Sequence, residues 1–211
     1  MEDLLQKRSR LYAIADYESC LTNNIDILNF ATAFFEGGGV NIQYRDKVSE
    51  SSEVLKNAQS LKEISSVYNG CLIVNDHIQI ATELELALHV GWDTPEVHFK
   101  GAFGRSTHNP EEINRALVEK PKASYLGFGA VFPSATKSEI EVNTKYLDFL
   151  FSKWFLDIVF IGGITEKNIS QLPVGERYYY AIISDFFSTG NQPADVEKYT
   201  RRLNEKISAF T

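Results

Sequence analysis

Between Gly127 and Lys137 the chain reads GFGAVFPSATK, an apolar run that opens into a loop of small and hydroxyl-bearing residues. A short apolar run bounded by glycine and proline is typical of a buried strand. The loop that follows carries Ser134, Thr136 and Lys137. Because hydroxyl groups, backbone amides and one lysine suit a phosphate or pyrophosphate, the stretch predicts a strand with an anion site at its carboxyl end.

Comparable apolar, β-branched or aromatic runs recur along the chain at intervals of about 25 residues and alternate with helical patterns, which is the rhythm of βα units. They predict eight strands, over residues 10–15, 41–45, 71–75, 87–90, 102–106, 124–131, 156–161 and 178–183. Apolar residues at three- and four-residue spacing predict helices over residues 25–36, 51–67, 110–119, 143–153 and 193–210. Residues 91–101 are too few for a regular helix. The pattern predicts an α/β fold, a single (β/α)8 TIM barrel over residues 1–211, because no Pro-, Gly- or Ser-rich linker divides the chain.

Composition narrows the class of protein. The chain has 211 residues, near the lower edge for a complete barrel, with a net charge of −7. Its acidic character argues against a nucleic-acid surface and leaves room for a local anion pocket. Cys20 and Cys71 have no metal-ligand spacing, which favours reduced thiols. With no run of about 20 apolar residues and no secretory signal, we expect a cytoplasmic protein without a membrane partner.

In such a barrel the side chains just past each strand gather at the carboxyl end, where these folds place their chemistry. Gln43, Arg45 and Lys47 alternate, so on an extended strand they point the same way. An amide there can contact a ring while two cations bind phosphate oxygens. The full candidate set is Gln43, Arg45, Lys47, Asn75, Asp76, Asp93, Ser106, His108, Ser134, Thr136, Lys137, Gly162, Gly163 and Ser184.

The acidic candidates complement the cations. Asn75 and Asp76 end the third run, and Asp93 follows the fourth. Carboxylate and amide oxygens on adjacent strand ends suit Mg²⁺, which binds one or two carboxylates together with substrate phosphate oxygens. The residues therefore predict a diphosphate bound through magnesium.

Two later segments predict a second phosphate site. In IGGIT, Gly162 and Gly163 would present backbone amides at the start of a helix, and Ile183 and Ser184 would do the same after the final strand. Barrels of this size commonly bind phosphate beside their last two strands.

At this point the chain resembles a known family, the thiamine phosphate synthases and their close relatives, the thiazole tautomerases. The resemblance covers nearly the whole chain and is carried by RLYAIAD, QYRDK, LIVNDHIQIA, LHVGWD, GRSTHNPEEINRA, SYLGFGAVFPSATK, VFIGGIT and AIIS. It implies a (β/α)8 barrel that joins hydroxymethylpyrimidine diphosphate to a thiazole phosphate with Mg²⁺ and releases pyrophosphate. It also leaves room for a homo-oligomer, since relatives often self-associate.

The resemblance implies a role for each matching residue. Gln43 would contact the aminopyrimidine, and Asp76 and Asp93 would coordinate Mg²⁺. The diphosphate would be held by Arg45, Lys47, Asn75, Ser106 and Lys137. Ser134 and Thr136 would border the thiazole and the departing group, and the thiazole phosphate would be bound by Gly163, Ile183 and Ser184. The catalytic candidates are Arg45, Lys47, Ser106, His108 and Lys137. The implied mechanism is dissociative: pyrophosphate leaves, and the thiazole nitrogen attacks the pyrimidine-methyl cation.

Two alternatives remain open. In the tautomerase branch a histidine at the position of His108 is the acid/base group that moves a proton on the thiazole ring. The segment after LHVG is one residue shorter than the family pattern, which would displace Asp93 and motivates the other alternative, a catalytically silent barrel that binds thiamine precursors or pyrophosphate. His77, His89 and His98 are expected to be structural or exposed, because none has metal-ligand spacing.

Overall fold

The strands form a closed barrel in a computed structural model that describes residues 4–95, 97–133, 143–152 and 155–210. All eight strands are parallel, each pairs with the next along the chain, and β8 closes the barrel on β1. The strands are β1 Leu11–Asp16, β2 Asn41–Arg45, β3 Cys71–Asn75, β4 Ala87–Val90, β5 Phe103–Thr107, β6 Tyr125–Gly129, β7 Asp157–Ile161 and β8 Tyr178–Ile182. The predicted barrel is confirmed.

Helices cover the outside of the barrel. They are α1 Tyr17–Thr22, α2 Ile27–Glu36, α3 Ser51–Val67, α4 Ile78–Glu83, α5 Pro110–Val118, α6 Leu147–Phe151 and α7 Pro193–Phe210. Short 3₁₀ helices lie at Thr144–Tyr146, Ile169–Gln171 and Ser184–Phe187. The outer faces of the strands and the inner faces of the helices share one large apolar core.

The barrel interior has its own smaller core, because alternate residues of each strand point inward. Its buried members are Leu5, Tyr12, Ile14, Ile73, Tyr125, Val159, Tyr179 and Ala181. The strand register places Gln43 of β2 beside Ile14 of β1 and Ile73 of β3, so this amide lies among interior residues. The interior is therefore filled by side chains and is partly polar.

Two predicted elements differ from the structure near residue 143. The sixth strand, predicted over 124–131, ends at Gly129. The Asn143 side chain donates to the Gly129 carbonyl at 2.8 Å, and the Asn143 backbone donates to the Ala130 carbonyl at 2.8 Å. The helix predicted over 143–153 is a 3₁₀ turn followed by the short α6.

Two further corrections concern helix starts. The helix predicted from residue 25 begins at Ile27, because the Asp26 carboxylate caps the backbone amides of Leu28 and Asn29. The helix expected after Gly163 is wrong: the described residues between β7 and β8 contain only the 3₁₀ helix Ile169–Gln171.

Candidate active site

The carboxyl end of the barrel holds an arginine fixed by a buried aspartate. Asp16 ends β1, caps α1 through the Ser19 amide at 3.1 Å and also accepts from the Ser19 hydroxyl at 2.7 Å. Its other carboxylate oxygen accepts from Arg45 Nη1 across the β1–β2 register. Arg45, a predicted diphosphate ligand, is thus held by a residue that the candidate set lacks.

A second cluster lies at the ends of β2 and β3. Lys47 Nζ is 3.4 Å from Asp76 Oδ2, and Asn75 Nδ2 donates to the same oxygen at 2.8 Å. Asp76 has a φ of +62°, a left-handed conformation that aspartate adopts more readily than most residues. Its Oδ1 accepts from the Gly91 backbone amide at 3.3 Å, which ties the cluster to the segment after β4.

The two predicted metal ligands border the same glycine. A Cβ on Gly91 would lie 2.7 Å from Asp93 Oδ1, so the absence of a side chain there makes room for that carboxylate. Asp76 contacts the amide of the same residue. Residues 4–95, 97–133, 143–152 and 155–210 contain no cluster of three His, Cys, Asp or Glu side chains suited to a metal. Two carboxylates and an amide oxygen fit Mg²⁺, which keeps waters and binds substrate phosphate as well.

The segment that carries Asp93 is held from below by Arg105. This buried guanidinium donates from Nη1 to the Gly91 carbonyl at 3.2 Å and to the Thr94 carbonyl at 2.9 Å. Its Nε lies 3.0 Å from Glu119 Oε2 as an ion pair, in a geometry outside that of a hydrogen bond. Arg105 therefore fixes the shortened segment, and its neighbour on β5, Ser106, faces the interior.

A hydrogen-bonded chain crosses the barrel below these clusters. Gln43 Nε2 donates to the Tyr12 hydroxyl at 3.0 Å, and that hydroxyl lies 2.8 Å from the hydroxyl of Tyr125. The Tyr125 hydroxyl is 2.8 Å from Nδ1 of His89, and Nε2 of His89 is 2.9 Å from Ser106 Oγ. We call these five residues, Gln43, Tyr12, Tyr125, His89 and Ser106, the interior chain.

The members of the interior chain are neutral. Burial lowers the pKa of His89 to about 4, the opposite of the effect of the nearby Asp76 carboxylate. Burial also raises the pKa of Tyr12 and that of Tyr125 well above their usual value. The chain thus links two predicted ligand contacts, Gln43 and Ser106, without a charge.

His89, like Asp16, is a site residue that the candidate set lacks. It is buried as expected of a structural histidine, and it also contacts a predicted diphosphate ligand. One signal was available: His89 and Ser106 lie on adjacent strands, near the carboxyl ends of both. Its Nδ1 meets the Tyr125 hydroxyl only because the barrel closes, and no local sequence pattern indicates that contact.

His108 sits at the rim beside a carboxylate. Its Nδ1 and its backbone amide each lie 2.8 Å from Glu112 Oε2. The helix cap is Asn109, whose side chain accepts from the Glu112 amide at 2.9 Å, so His108 is not the capping residue of α5. The Trp92 ring stands perpendicular to the imidazole at a centroid distance of 6.4 Å.

The last two strands end in tight turns. Gly162 and Gly163 have φ of +95° and +62°, and a Cβ on Gly163 would lie 2.4 Å from the Pro133 carbonyl oxygen. Only glycine fits that approach. Ile183 precedes the 3₁₀ helix that Ser184 begins. Ser134, Thr136 and Lys137 lie outside the described residues.

The opposite, amino end of the barrel carries a cavity of about 620 Å³. Four cations line it together with two glutamates: Lys7, Arg8, Arg10 and Arg201, with Glu176 and Glu205. It is far from the strand ends that carry the predicted site. Among the described helices, none has the length and apolar character needed to cross a bilayer.

Comparison with known proteins agrees along nearly the full chain. A family model described as Thiamine monophosphate synthase matches residues 11–185. A thiamine-phosphate synthase from Lawsonia intracellularis is 30% identical, with 92% of each chain covered. A thiamine-phosphate synthase from Nitrosococcus oceani is 34% identical with the same coverage, 92% of each chain. The thiamine phosphate pyrophosphorylase from Pyrococcus furiosus has a TM-score of 0.78 at 24% identity, covering 97% of this chain and 99% of that chain, and shares its fold.

Proposed function

The chain belongs to the thiamine monophosphate synthase family, and we propose that the carboxyl end of its barrel joins a pyrimidine diphosphate to a thiazole phosphate. The protein is a transferase of thiamine biosynthesis. In the reaction the bond between the pyrimidine methylene and the diphosphate breaks, and the methylene carbon forms a bond to the thiazole nitrogen. Pyrophosphate is released.

One observation carries the proposal: strand ends distant in sequence bring cations, carboxylates and neutral donors to one end of the barrel. Arg45 bonded to Asp16, and Lys47 beside Asp76, stand over the interior chain that ends in Ser106. Preorganised cations of this kind stabilise charge that develops on a leaving group. This is the requirement of a dissociative reaction with a diphosphate leaving group.

The candidate site residues have different roles in this mechanism. Arg45 and Lys47 bind oxygens of the leaving diphosphate, and Ser106 donates to it as a neutral group. Asn75 and Lys137 complete the diphosphate site. Gln43 orients the pyrimidine ring, and the thiazole ring supplies its own nucleophilic nitrogen.

Magnesium fits the two carboxylates at Gly91. Asp76 and Asp93 would hold the ion, and the ion would neutralise part of the charge on the leaving diphosphate. Asp76 is held in place meanwhile by Asn75 and by the Gly91 amide.

The thiazole phosphate is assigned to the turns after β7 and β8. Gly162, Gly163, Ile183 and Ser184 follow the carboxyl ends of the last two strands, where barrels of this size commonly bind phosphate through backbone amides. Ser134 and Thr136 belong to the same proposed subsite.

The test is formation of thiamine phosphate from the two purified precursors, with Mg²⁺ and again with excess chelator. We expect product only with the metal. The variant Lys137→Ala should lower turnover by about 100-fold or more, because a cation opposite the leaving group is lost. The matched control is Lys122→Ala, which removes an exposed lysine that precedes β6 at the other end of the strand. Wild-type turnover in Lys137→Ala would remove that lysine from the diphosphate site.

One observation favours a second activity, proton transfer on a carboxythiazole phosphate. Glu112 orients His108 at the rim, as a carboxylate orients an acid/base histidine. Tautomerisation without coupling would select this activity over the synthase. Binding of both precursors without any reaction would instead indicate a silent module.

A further inference from the structure

The interior chain has a direction, and one side chain sets it. The Gln43 amide nitrogen can only donate, so the Tyr12 oxygen accepts this hydrogen bond. The Tyr12 hydrogen is then directed to its other partner, the Tyr125 oxygen. The Tyr125 hydroxyl has one hydrogen, and because Tyr12 donates to Tyr125, the partner left to receive that hydrogen is Nδ1 of His89.

The second half of the chain follows from the chemistry of a neutral imidazole, which carries one hydrogen. Because Nδ1 of His89 accepts, the hydrogen is on Nε2 and is donated to Ser106 Oγ. The Ser106 hydroxyl hydrogen then points away from His89. At the opposite end of the chain, the Gln43 amide nitrogen is held on the tyrosine side, and its other polar atom is Oε1, an acceptor.

We propose that Tyr12, Tyr125 and His89 are positioning residues that hold Gln43 as a hydrogen-bond acceptor and Ser106 as a hydrogen-bond donor toward the substrate. The inference rests on the proposed function and deepens it, because it states what each end of the substrate must offer. The ring must present an N–H donor, such as an exocyclic amino group, and the leaving group must present an anionic oxygen.

The barrel is built to accommodate the chain. Gly104 faces Tyr125, and a Cβ there would lie 2.0 Å from the phenol ring. Gly127 faces His89, and a Cβ there would lie 3.2 Å from the imidazole. Two interior positions are thus left without side chains beside the two rings. Rings fixed in this way hold their hydrogen-bonding atoms in one geometry.

The donor-to-acceptor direction of the interior chain implies a specificity for the substrate ring. A ring with a carbonyl in place of the amino group would set an acceptor against Gln43 Oε1, and the amide cannot turn without breaking its bond to Tyr12. Sites with fixed polar groups reject such analogues strongly, because buried groups would be left unpaired. The chain therefore acts as the device that distinguishes amino from oxo pyrimidines.

The first test determines the direction of the hydrogen bonds by locating the hydrogen on the His89 imidazole. In protein labelled with ¹⁵N-histidine, the nitrogen shifts of His89 should report hydrogen on Nε2, with the signal assigned by its loss in His89→Asn. Hydrogen on Nδ1, or on both nitrogens at neutral pH, would overturn the proposal.

The second test interrupts the interior chain by mutation and measures ligand binding, so it does not depend on turnover. Calorimetry measures binding of the aminopyrimidine diphosphate and of its 4-oxo analogue, without thiazole phosphate. In Tyr125→Phe the Gln43 amide is free to turn, so the preference for the amino ligand should fall at least 10-fold. Tyr12→Phe breaks the same chain elsewhere and should give the same result if Tyr125→Phe does not fold.

The matched control is Tyr180→Phe. Tyr180 is equally buried, and its hydroxyl donates one hydrogen bond, to the Pro173 carbonyl at 2.8 Å, outside the interior chain. We expect its stability to fall and its ligand preference to stay at the wild-type value. If Tyr125→Phe and Tyr12→Phe both keep the wild-type preference for the amino ligand, the interior chain has only a structural role and the proposal is wrong. Failure of the wild-type protein to form product while it still prefers the amino ligand would contradict only the proposed reaction.

Discussion

Two arginine–aspartate pairs, one at each end of the barrel, have similar chemistry and different surroundings. Arg45–Asp16 lies at the carboxyl end, and Arg177–Asp157 lies at the amino end with a distance of 3.0 Å. In both pairs the carboxylate is buried and the arginine is partly exposed, at 30% for the Arg45 side chain and 40% for Arg177. The ion pair alone therefore does not indicate a role.

The difference lies in what surrounds each pair. At the carboxyl end Asp16 has further donors in Ser19, so Arg45 is oriented by a partner that does not depend on it. At the amino end cations meet main-chain carbonyls and rings: Arg8 donates to the carbonyls of Tyr68 and Asn69. In the proposed mechanism Arg45 and Lys47 bind the substrate diphosphate at the carboxyl end, whereas Arg8 and Arg177 at the amino end bond to the protein itself.

The largest expected effect comes from Arg45→Met. Because a cation beside the leaving group is lost, kcat/KM for thiamine phosphate formation should fall by about 1000-fold. Stability should change by less than about 1 kcal/mol, since Asp16 keeps its bonds to Ser19. Steady-state kinetics and urea unfolding measure the two quantities. A kcat/KM close to the wild-type value in Arg45→Met would contradict the functional difference between the two ends of the barrel.

Arg105→Met sharpens the comparison, because Arg105 is a structural arginine at the functional end. Loss of the guanidinium removes the donor to the Thr94 carbonyl and leaves the Gly91 carbonyl with only the Thr94 amide at 3.3 Å, at a cost of about 3 kcal/mol in urea unfolding. The Mg²⁺ concentration for half-maximal activity should rise, because the segment with Asp93 is released. The control is Arg115→Met, an exposed residue that contacts the Trp92 carbonyl on the same segment and should cost less than about 1 kcal/mol.

Arg177→Met is the matched partner of the Arg45 variant. It leaves the buried Asp157 carboxylate without this ion pair and should cost about 2 kcal/mol of unfolding free energy. Activity of the folded variant should stay within about two-fold of the wild type, since the site at the other end is untouched. A loss of turnover as large as that of Arg45→Met would mean that the two ends are coupled.

The smallest effect is expected for Arg201→Ala in the amino-end cavity. Arg201 pairs with Glu197 one helical turn away, and both side chains are substantially exposed. Exposed pairs of this kind contribute less than about 0.5 kcal/mol. Thermal unfolding should shift little, and turnover should be unchanged. A marked loss of turnover would instead connect the cavity with catalysis.

Local patterns predicted most of the fold. The strands and the long helices have periodicities that depend on nearby residues alone, and the observed strands lie within two residues of the predicted bounds, so the eight-strand order followed. The convergence of Lys47, Asn75 and Asp76 followed from the parallel sheet, and Asp93 joins them through Gly91.

The rest depends on contacts between strands that no local pattern encodes. Asp16 meets Arg45 because the register of β1 and β2 pairs them. His89 meets Tyr125 because the barrel closes around glycines that make room for both rings. The expected helix after Gly163 is absent, and Gly163 itself is in the left-handed region with a φ of +62°, close to the Pro133 carbonyl. The roles of Ser134, Thr136 and Lys137 stay predictions.

Trp92 is placed to serve as an intrinsic fluorescent probe of the proposed metal site. Its ring is half exposed, the guanidinium of Arg115 stacks over it at 6.0 Å, and it immediately precedes Asp93. Indole emission responds to nearby charge and to solvent, so an ion arriving at Asp93 should alter the fluorescence without any label. The sequence has one other tryptophan, Trp154, and replacing it with phenylalanine would leave Trp92 as the sole indole, which can be excited selectively over the tyrosines in a titration.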